Sequence, residues 1–254
     1  MVEKFYSQDR LKIIQLTDTH LVSNNSELFG FNTNDNFNRV MDSVFKKEIN
    51  DTDFILLTGD LSQDETAGSY QYLLDAFQPC SIPVFWIPGN HDDFELMNTV
   101  FNQSSLFNFP KFIDLKHWIF LFINTQLEGS INGYINSNDL LMIKNQLSEA
   151  AEKNKNIVLV MHHHPTEVDT PLIDEYILNN REELWSIISD SRVKMIISGH
   201  VHGDYSFNHR GVKIECAPAT CFQFQKGSTS LQIENSIGYK IHNFELGSVD
   251  NKLH

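Results

Sequence analysis

Cysteine is scarce in this chain: Cys80, Cys216 and Cys221 are the three present, and no two are spaced as a CxxC pair. That scarcity argues against a disulfide framework and against a thiolate zinc site. Positive charge is also short, with 19 Lys and Arg against 33 Asp and Glu and a formal net charge of −14 at pH 7. A field of that sign repels nucleic acid and anionic membrane, leaving a small anionic substrate drawn to bound cations as the polyanion-compatible option. No run approaches the roughly 18 apolar residues of a membrane span. The polar stretch from Met1 to Arg10 lacks the apolar core of a secretory signal. The expectation is a cytoplasmic protein with neither a nucleic-acid nor a membrane partner. There is no internal repeat, no Pro/Gly-rich linker and no heptad or apolar stripe that would mark an oligomer. The 254 residues are therefore expected to form one domain, 1–254. A chain of that size can bury roughly 70–75% of its unfolded surface.

What the sequence does contain is a recurring format: a short apolar run that stops abruptly in Asp, Asn or His. Leu11 to Thr17 reads as a strand and ends in Asp18-Thr19-His20. Phe54 to Leu57 delivers Gly59-Asp60, Pro83 to Ile87 delivers Gly89-Asn90-His91-Asp92, and Val193 to Ile197 delivers Gly199-His200-Val201-His202. Ile157 to Met161 is unbroken in its apolar character, as in a strand buried on both faces, and delivers His162-His163-His164. Helical spacing appears between these runs, as in Phe37, Val40, Met41, Val44 and Phe45. Helices are read from Phe37, over Thr66 to Phe77, Phe94 to Phe101 and Asn138 to Lys153, and within Leu172 to Ile188. Two adjacent strands are expected over Phe112 to Leu115 and His117 to Asn124. The polar segment 21–36 is long enough to be a cover loop. From residue 203 the chain turns β-rich, with short, exposed strands predicted at Tyr205–Phe207, Val212–Glu215, Thr229–Ile233 and Gly238–Phe244.

Carboxylate, amide oxygen and imidazole are the donors suited to iron, manganese or zinc. Asp18, His20, Asp60, Asn90, His162, His200 and His202 together exceed what one open-sited ion needs, so two ions bridged by Asp60 are expected. Such a pair clamps a phosphoryl oxygen and lowers the pKa of a shared water. In Asp18-Thr19-His20 and His200-Val201-His202 the i, i+2 spacing places both side chains on one face of an extended strand end. Any one of these residues alone reads as a turn residue, a helix cap or a hydrogen-bonded core histidine. Coincidence at five strand ends is what outweighs that reading. His117, His209, His242 and His254 fall outside the pattern and are read as surface or packing residues.

Asp-x-His, Gly-Asp, Gly-Asn-His-Asp, His and Gly-His-x-His, in this order, resemble the signature of the calcineurin-like metallophosphoesterases over residues 11 to 202. Thr17 to Leu21, Leu28 to Thr33, His162 to Pro165 and Ala219 to Phe224 are similar to segments of the bacterial class III phosphodiesterases that act on 3′,5′-cyclic AMP. The resemblance implies an α/β (α+β) four-layer sandwich of two mixed β-sheets flanked by helices. It also implies one metal held by Asp18, His20, Asp60 and His202 and a second by Asp60, Asn90, His162 and His200, with iron and/or manganese expected and zinc admissible. The implied reaction opens 3′,5′-cyclic AMP to 5′-AMP by in-line attack of metal-bridging hydroxide, with Asn90, His91 and His163 meeting the substrate. His91 is expected to protonate the departing ribose oxygen, Asp92 to orient His91, and His163 to donate to the phosphate. Alternatives are a phosphodiesterase for a 2′,3′-cyclic nucleotide or a glycerophosphodiester, and a non-catalytic scaffold on the same fold. One departure is Gly238-Tyr239-Lys240, where the resemblance leads one to expect arginine. If that position grips nucleotide, lysine keeps the charge and loses the bidentate fork.

Overall fold

In this computed structural model, residues 9–24, 26–245 and 248–253 are described. The opening residues 1–8 and His254 lie outside them. Two six-stranded sheets form the centre. One runs β14–β13–β1–β2–β3–β4, and the other β5–β6–β7–β8–β10–β9. In the first, β1 (Leu11–Leu16), β2 (Phe54–Thr58), β3 (Val84–Ile87) and β4 (Phe107–Asn108) are mutually parallel. β13 (Lys240–Glu245) closes antiparallel on β1, and β14 (Ser248–Leu253) on β13. In the second, β6 (Trp118–Ile123), β7 (Asn156–Met161), β8 (Val193–Ser198) and β10 (Val212–Cys216) are parallel. β5 (Phe112–Asp114) and β9 (Tyr205–His209) run antiparallel at its edges.

Strand periodicity makes the layers. Phe54 and Leu56 of β2 and Val158 and Val160 of β7 face a shared core between the sheets, joined by Phe85, Phe120, Phe122, Met195 and Ile197. Their neighbours in sequence point outward. Ile55 and Leu57 meet α1 (Thr33–Lys47), α2 (Ala67–Ala76) and α3 (Phe94–Phe101). Ile157, Leu159 and Met161 meet α4 (Ser137–Glu152), α5 (Pro171–Asp174) and α6 (Arg181–Ile188). Strands buried on both faces therefore need apolar residues at consecutive positions, which is why these runs were unbroken in sequence. The result is the expected four-layer sandwich of two mixed sheets flanked by helices.

Four helix starts are set by side-chain caps: Asn32, Thr66, Asp93 and Asn136 each accept from an amide three residues on. The first of these corrects the sequence reading. α1 begins at Thr33, not Phe37, because the Asn32 cap and a bond from the Thr33 hydroxyl to the His20 carbonyl (2.7 Å) recruit polar residues into its first turn. The cover loop thus ends at residue 32. Two further corrections concern the C-terminal part. Thr229–Gln232 is not strand, since only Ile233–Glu234 pairs there, as β12 against β11 (Gln223–Phe224). β10 and β13 are largely buried, not exposed. The helix read within Leu172 to Ile188 is α6, and a short helix, α5, precedes it from Pro171.

Lys240 explains much of that burial. Its side chain is 3% exposed, and Nζ donates to Glu215 Oε2 (2.8 Å) and to the carbonyls of Cys216 (2.9 Å) and Tyr205 (3.1 Å). The lysine ties β13 of one sheet to β10 of the other, and its remaining partner is Asp204 Oδ1 (2.5 Å), just after the Gly199–His202 loop, so protein oxygens occupy the ammonium. The nucleotide-gripping role raised for this position is therefore corrected to a structural ion pair. Lys240→Ala leaves the Glu215 carboxylate, itself 0% exposed, short of its buried cation. It is expected to cost about 3–5 kcal/mol, measured as a fall in the urea midpoint; a loss under 1 kcal/mol contradicts the pairing role.

Candidate metal centre

All five strand-end loops meet at the carboxyl ends of β1, β2, β3, β7 and β8, where the two sheets face each other. The i, i+2 ligand spacing works by a different route from the one expected. β1 ends at Leu16 and β8 at Ser198, before either pair of side chains. Asp18, His20, Asp60, His200 and His202 all adopt left-handed backbone, with φ of 50°, 43°, 52°, 70° and 43°. For a residue carrying a Cβ this costs roughly 1–2 kcal/mol, and its concentration in one loop cluster is the signature of a functional constraint. Kinked loops, not extended strand ends, turn these side chains together.

Backbone bonds hold the kinks. Asp18 N donates to the Gly59 carbonyl (3.0 Å) and His20 N to that of Asp60 (3.0 Å). The Asp18 carboxylate accepts from the Thr17 hydroxyl (2.6 Å) and from His200 N (3.0 Å), linking the loops of the two sheets. Gly59, at φ +93°, packs so close that a Cβ there would sit 2.6 Å from both Gly89 N and His162 Nδ1. Only glycine fits this conformation and this approach.

The donor atoms form two clusters that share one oxygen. Asp60 Oδ1 is occupied by His91 N (2.9 Å), leaving Oδ2 free. His20 Nε2 lies 3.7 Å from that Oδ2 and 3.2 Å from His202 Nε2, which is 3.4 Å from Asp18 Oδ1. On the other side His162 Nε2 lies 3.3 Å from Asp60 Oδ2. The remaining ring nitrogens fix the tautomers. His20 Nδ1 bonds Gln63 Oε1 (2.7 Å), His202 Nδ1 the Phe222 carbonyl (3.0 Å), and His162 Nδ1 the Thr58 carbonyl (2.7 Å). Each Nδ1 therefore carries a hydrogen; the neutral rings of His20 and His202 turn bare lone pairs inward, while His162 Nε2 faces the Asp60 carboxylate. Two imidazole lone pairs 3.2 Å apart repel, and no proton sits between them to bond. Asn90 Oδ1, His162 Nε2 and His200 Nε2 are buried with no hydrogen-bond partner. Buried polar atoms are rarely left so, and the cluster has the donors to hold a metal cation.

The electrostatics divide the rings into two kinds. Burial lowers His20 to about 4 and takes His200 and His202 well below the ordinary imidazole value, keeping them neutral donors. Burial disfavours a proton on His162 too, but the adjoining Asp60 charge outweighs it and holds this ring up to about 9. Burial pushes the Asp18 carboxyl up to about 7. Asp60 keeps its charge, well below the usual carboxylate range, because His162 beside it offsets the burial.

Two residues given catalytic work by the sequence reading are otherwise engaged. The Asp92 carboxylate accepts from Gly89 N (2.9 Å), Leu61 N (3.0 Å), Ser62 N (3.0 Å) and the Tyr70 hydroxyl (3.2 Å). It staples the β2 and β3 loops together and makes no bond to the His91 ring. His163 is fully buried, with Nδ1 on the Thr125 hydroxyl (2.8 Å) and Nε2 on the Ile131 carbonyl (2.9 Å). Burial lowers it to about 3, so it has no hydrogen left to offer a phosphate. His91 does stand where expected. It lines a cavity of about 400 Å³ with Asn90, Asp60, His20, His200 and His202, its ring centroid 5.1 Å from that of His20.

Residues unnoticed in sequence complete the site. Gln63 fixes the His20 ring, and the Gln126 amide spans the carbonyls of Gly89 (2.7 Å) and Asp92 (2.6 Å). Gln126 follows β6, a strand ending in Asn124-Thr125-Gln126; its apolar run and polar stop were the available signal.

A sequence profile described as calcineurin-like phosphoesterase matches residues 11–204. The chain belongs to that family. Among curated relatives, a probable cyclic nucleotide phosphodiesterase of Coxiella burnetii is 36% identical, over 91% of this chain and 91% of its own. A 3′,5′-cyclic adenosine monophosphate phosphodiesterase of Vibrio vulnificus is 35% identical over 90% of this chain and 83% of its own. The family fold recurs in a dimetal phosphatase from Danio rerio, at a TM-score of 0.66 and 12% identity over 96% of this chain and 98% of that one. At 16% identity and the same TM-score of 0.66, it recurs in GAP50, an anchor in the inner membrane complex of Plasmodium, over 97% of this chain and 84% of that one. Fold alone therefore assigns no activity, and the donor set must. Among the described residues no helix is long and apolar enough to cross a membrane.

Converging lone pairs oppose folding until a cation binds. Adding Mn²⁺ to metal-free protein is expected to raise Tm in a concentration-dependent way, equivalent to about 2.7 kcal/mol at a hundredfold excess over Kd. A Tm indifferent to Mn²⁺, Fe²⁺ and Zn²⁺ contradicts the assignment.

Proposed function

We propose that the chain is a two-metal phosphodiesterase that opens 3′,5′-cyclic AMP to 5′-AMP. The observation that carries this is the pair of donor clusters sharing Asp60 Oδ2 at the floor of the cavity. Asp18, His20, Asp60 and His202 would hold one ion, and Asp60, Asn90, His162 and His200 the other. Bound there, the ions would supply a nucleophilic water at neutral pH and neutralise charge on the phosphoryl oxygens.

The chain's own groups do the rest. Asn90 turns Oδ1 inward and has its amide Nδ2 to donate to a phosphoryl oxygen. His91, with its backbone amide anchored to Asp60 Oδ1, presents its imidazole to the cavity and gives a proton to the departing ribose oxygen. The cavity volume suits a mononucleotide. Its far wall, with Phe29, Phe222, Phe224, Leu172, Tyr176 and Leu231, is apolar where a base would lie. The substrates named for the Coxiella and Vibrio relatives support the nucleotide reading. The complete ligand set separates this chain from a non-catalytic use of the fold.

The test is a panel of cyclic AMP, cyclic GMP, 2′,3′-cyclic AMP and bis-p-nitrophenyl phosphate with Mn²⁺-loaded enzyme. Hydrolysis of cyclic AMP with the highest kcat/KM is expected; activity on the generic diester alone removes the named substrate. His91→Ala is expected to lower kcat on cyclic AMP about 10²- to 10⁴-fold. It should have far less effect on bis-p-nitrophenyl phosphate, whose leaving group departs without a proton. Equal losses on both would remove His91 as the acid.

A further inference from the structure

The aromatic residues around the cavity do not share one job. Phe222 is 1% exposed and belongs to a small core with Ala219, Cys221, Leu28 and Phe31. Its ring lies nearly parallel to that of His20, and its carbonyl holds His202. Phe29 is the opposite: 57% exposed, at the mouth of the cavity, its ring edge-on to Phe222 with centroids 5.8 Å apart.

The backbone at Phe29 is costly. Leu28 and Phe31 exchange both bonds of a tight hairpin, Leu28 N to Phe31 O at 2.9 Å and Phe31 N to Leu28 O at 3.0 Å. The two residues between, Phe29 and Gly30, both have positive φ, 51° and 82°. Such a turn favours Asn, Asp or Gly at both positions, and phenylalanine there is strained. Folding gives little return for that strain, since the ring meets Phe222 only edge-on and more than half of the residue stays in water. Leu28 and Phe31 anchor the turn to the core beneath it. A large apolar ring raised over a nucleotide-sized cavity at a conformational cost has its use when the cavity is filled.

We infer that Phe29 is the base-stacking platform of the site and sets its preference for phosphodiesters that carry a purine. This rests on the nucleotide reading above. The metal end of the cavity takes the phosphate and Phe29 covers the face of the base, with Phe222 fixing the ring edge-on from behind. Phe222 and Phe224 pack against ligand histidines and position them, the latter with its ring centroid 4.5 Å from that of His202.

Phe29→Asn tests this without endangering the fold, because asparagine tolerates the left-handed backbone and the variant is expected to melt no lower than the parent. The probes are 5′-AMP and ribose 5-phosphate, which is 5′-AMP without its base, measured as competitive inhibitors of bis-p-nitrophenyl phosphate hydrolysis by Mn²⁺-loaded enzyme. Phe29→Asn is expected to weaken 5′-AMP about 5- to 100-fold, the range for losing one base–aromatic stack. Ribose 5-phosphate should change less than twofold, and Phe29→Tyr should restore 5′-AMP. Unchanged 5′-AMP inhibition, or equal weakening of both probes, overturns the platform. If the parent enzyme hydrolyses bis-p-nitrophenyl phosphate but binds 5′-AMP no better than ribose 5-phosphate, the nucleotide reading fails, and the platform with it.

Discussion

Everything in this structure is arranged around a repulsion. The Nε2 lone pairs of His20 and His202 face each other at 3.2 Å, and the Nε2 atoms of His20 and His162 flank the same oxygen of Asp60. Left to themselves, such groups would separate, take up protons or turn to water. Here the hydrogen bond on each Nδ1 forbids rotation, burial disfavours the protonated rings of His20 and His202, and the left-handed loops forbid retreat. The molecule stores unfavourable contacts that the proposed pair of cations would convert into coordination bonds. Preorganisation of this kind is what a site needs if charge developing on a substrate is to be stabilised without rearrangement.

The strain is tolerated because it is surrounded by parts that gain by folding. The strands that deliver the loops are buried on both faces, packing Phe54, Phe85, Phe120 and Val158 between the sheets and Leu57, Leu159 and Met161 beneath helices. Rigid strands fix where each loop leaves the sheet. Glycine at positions 59 and 89 lets neighbouring loops approach to backbone contact. Asp92 then bonds both loops at once, which is worth more to the site than a second contact on His91.

Legibility in the sequence followed the same physics. Doubly buried strands must be apolar throughout, so β1, β2, β3, β7 and β8 could be read, and each announced its ligands by stopping abruptly. The seven candidate donor positions were legible because neither packing nor turn formation calls for Asp, Asn or His at five strand ends together. Positions governed by contacts remote in sequence were not legible. Thr33 joins α1 through a bond to His20, Lys240 turns to Glu215 25 residues back, and His163 is silenced by Thr125 and Ile131. Asp92 looked like a partner for its neighbour because sequence shows adjacency, whereas its carboxylate also reaches Leu61 and Ser62, 31 and 30 positions away. Strain at Phe29 was invisible for another reason: nothing in Leu28-Phe29-Gly30-Phe31 states which residues take positive φ.

Asp60 is the point at which these lines meet, with one oxygen anchoring the His91 amide and the other shared by both donor clusters. Equilibrium dialysis against Mn²⁺, comparing the parent chain with Asp60→Asn, addresses that sharing directly. The parent is expected to hold two ions per chain. The variant, whose amide offers one weak oxygen where two ions need a carboxylate, should hold fewer than one at the same free concentration. Two ions in both proteins, or a single ion in the parent, would contradict the account.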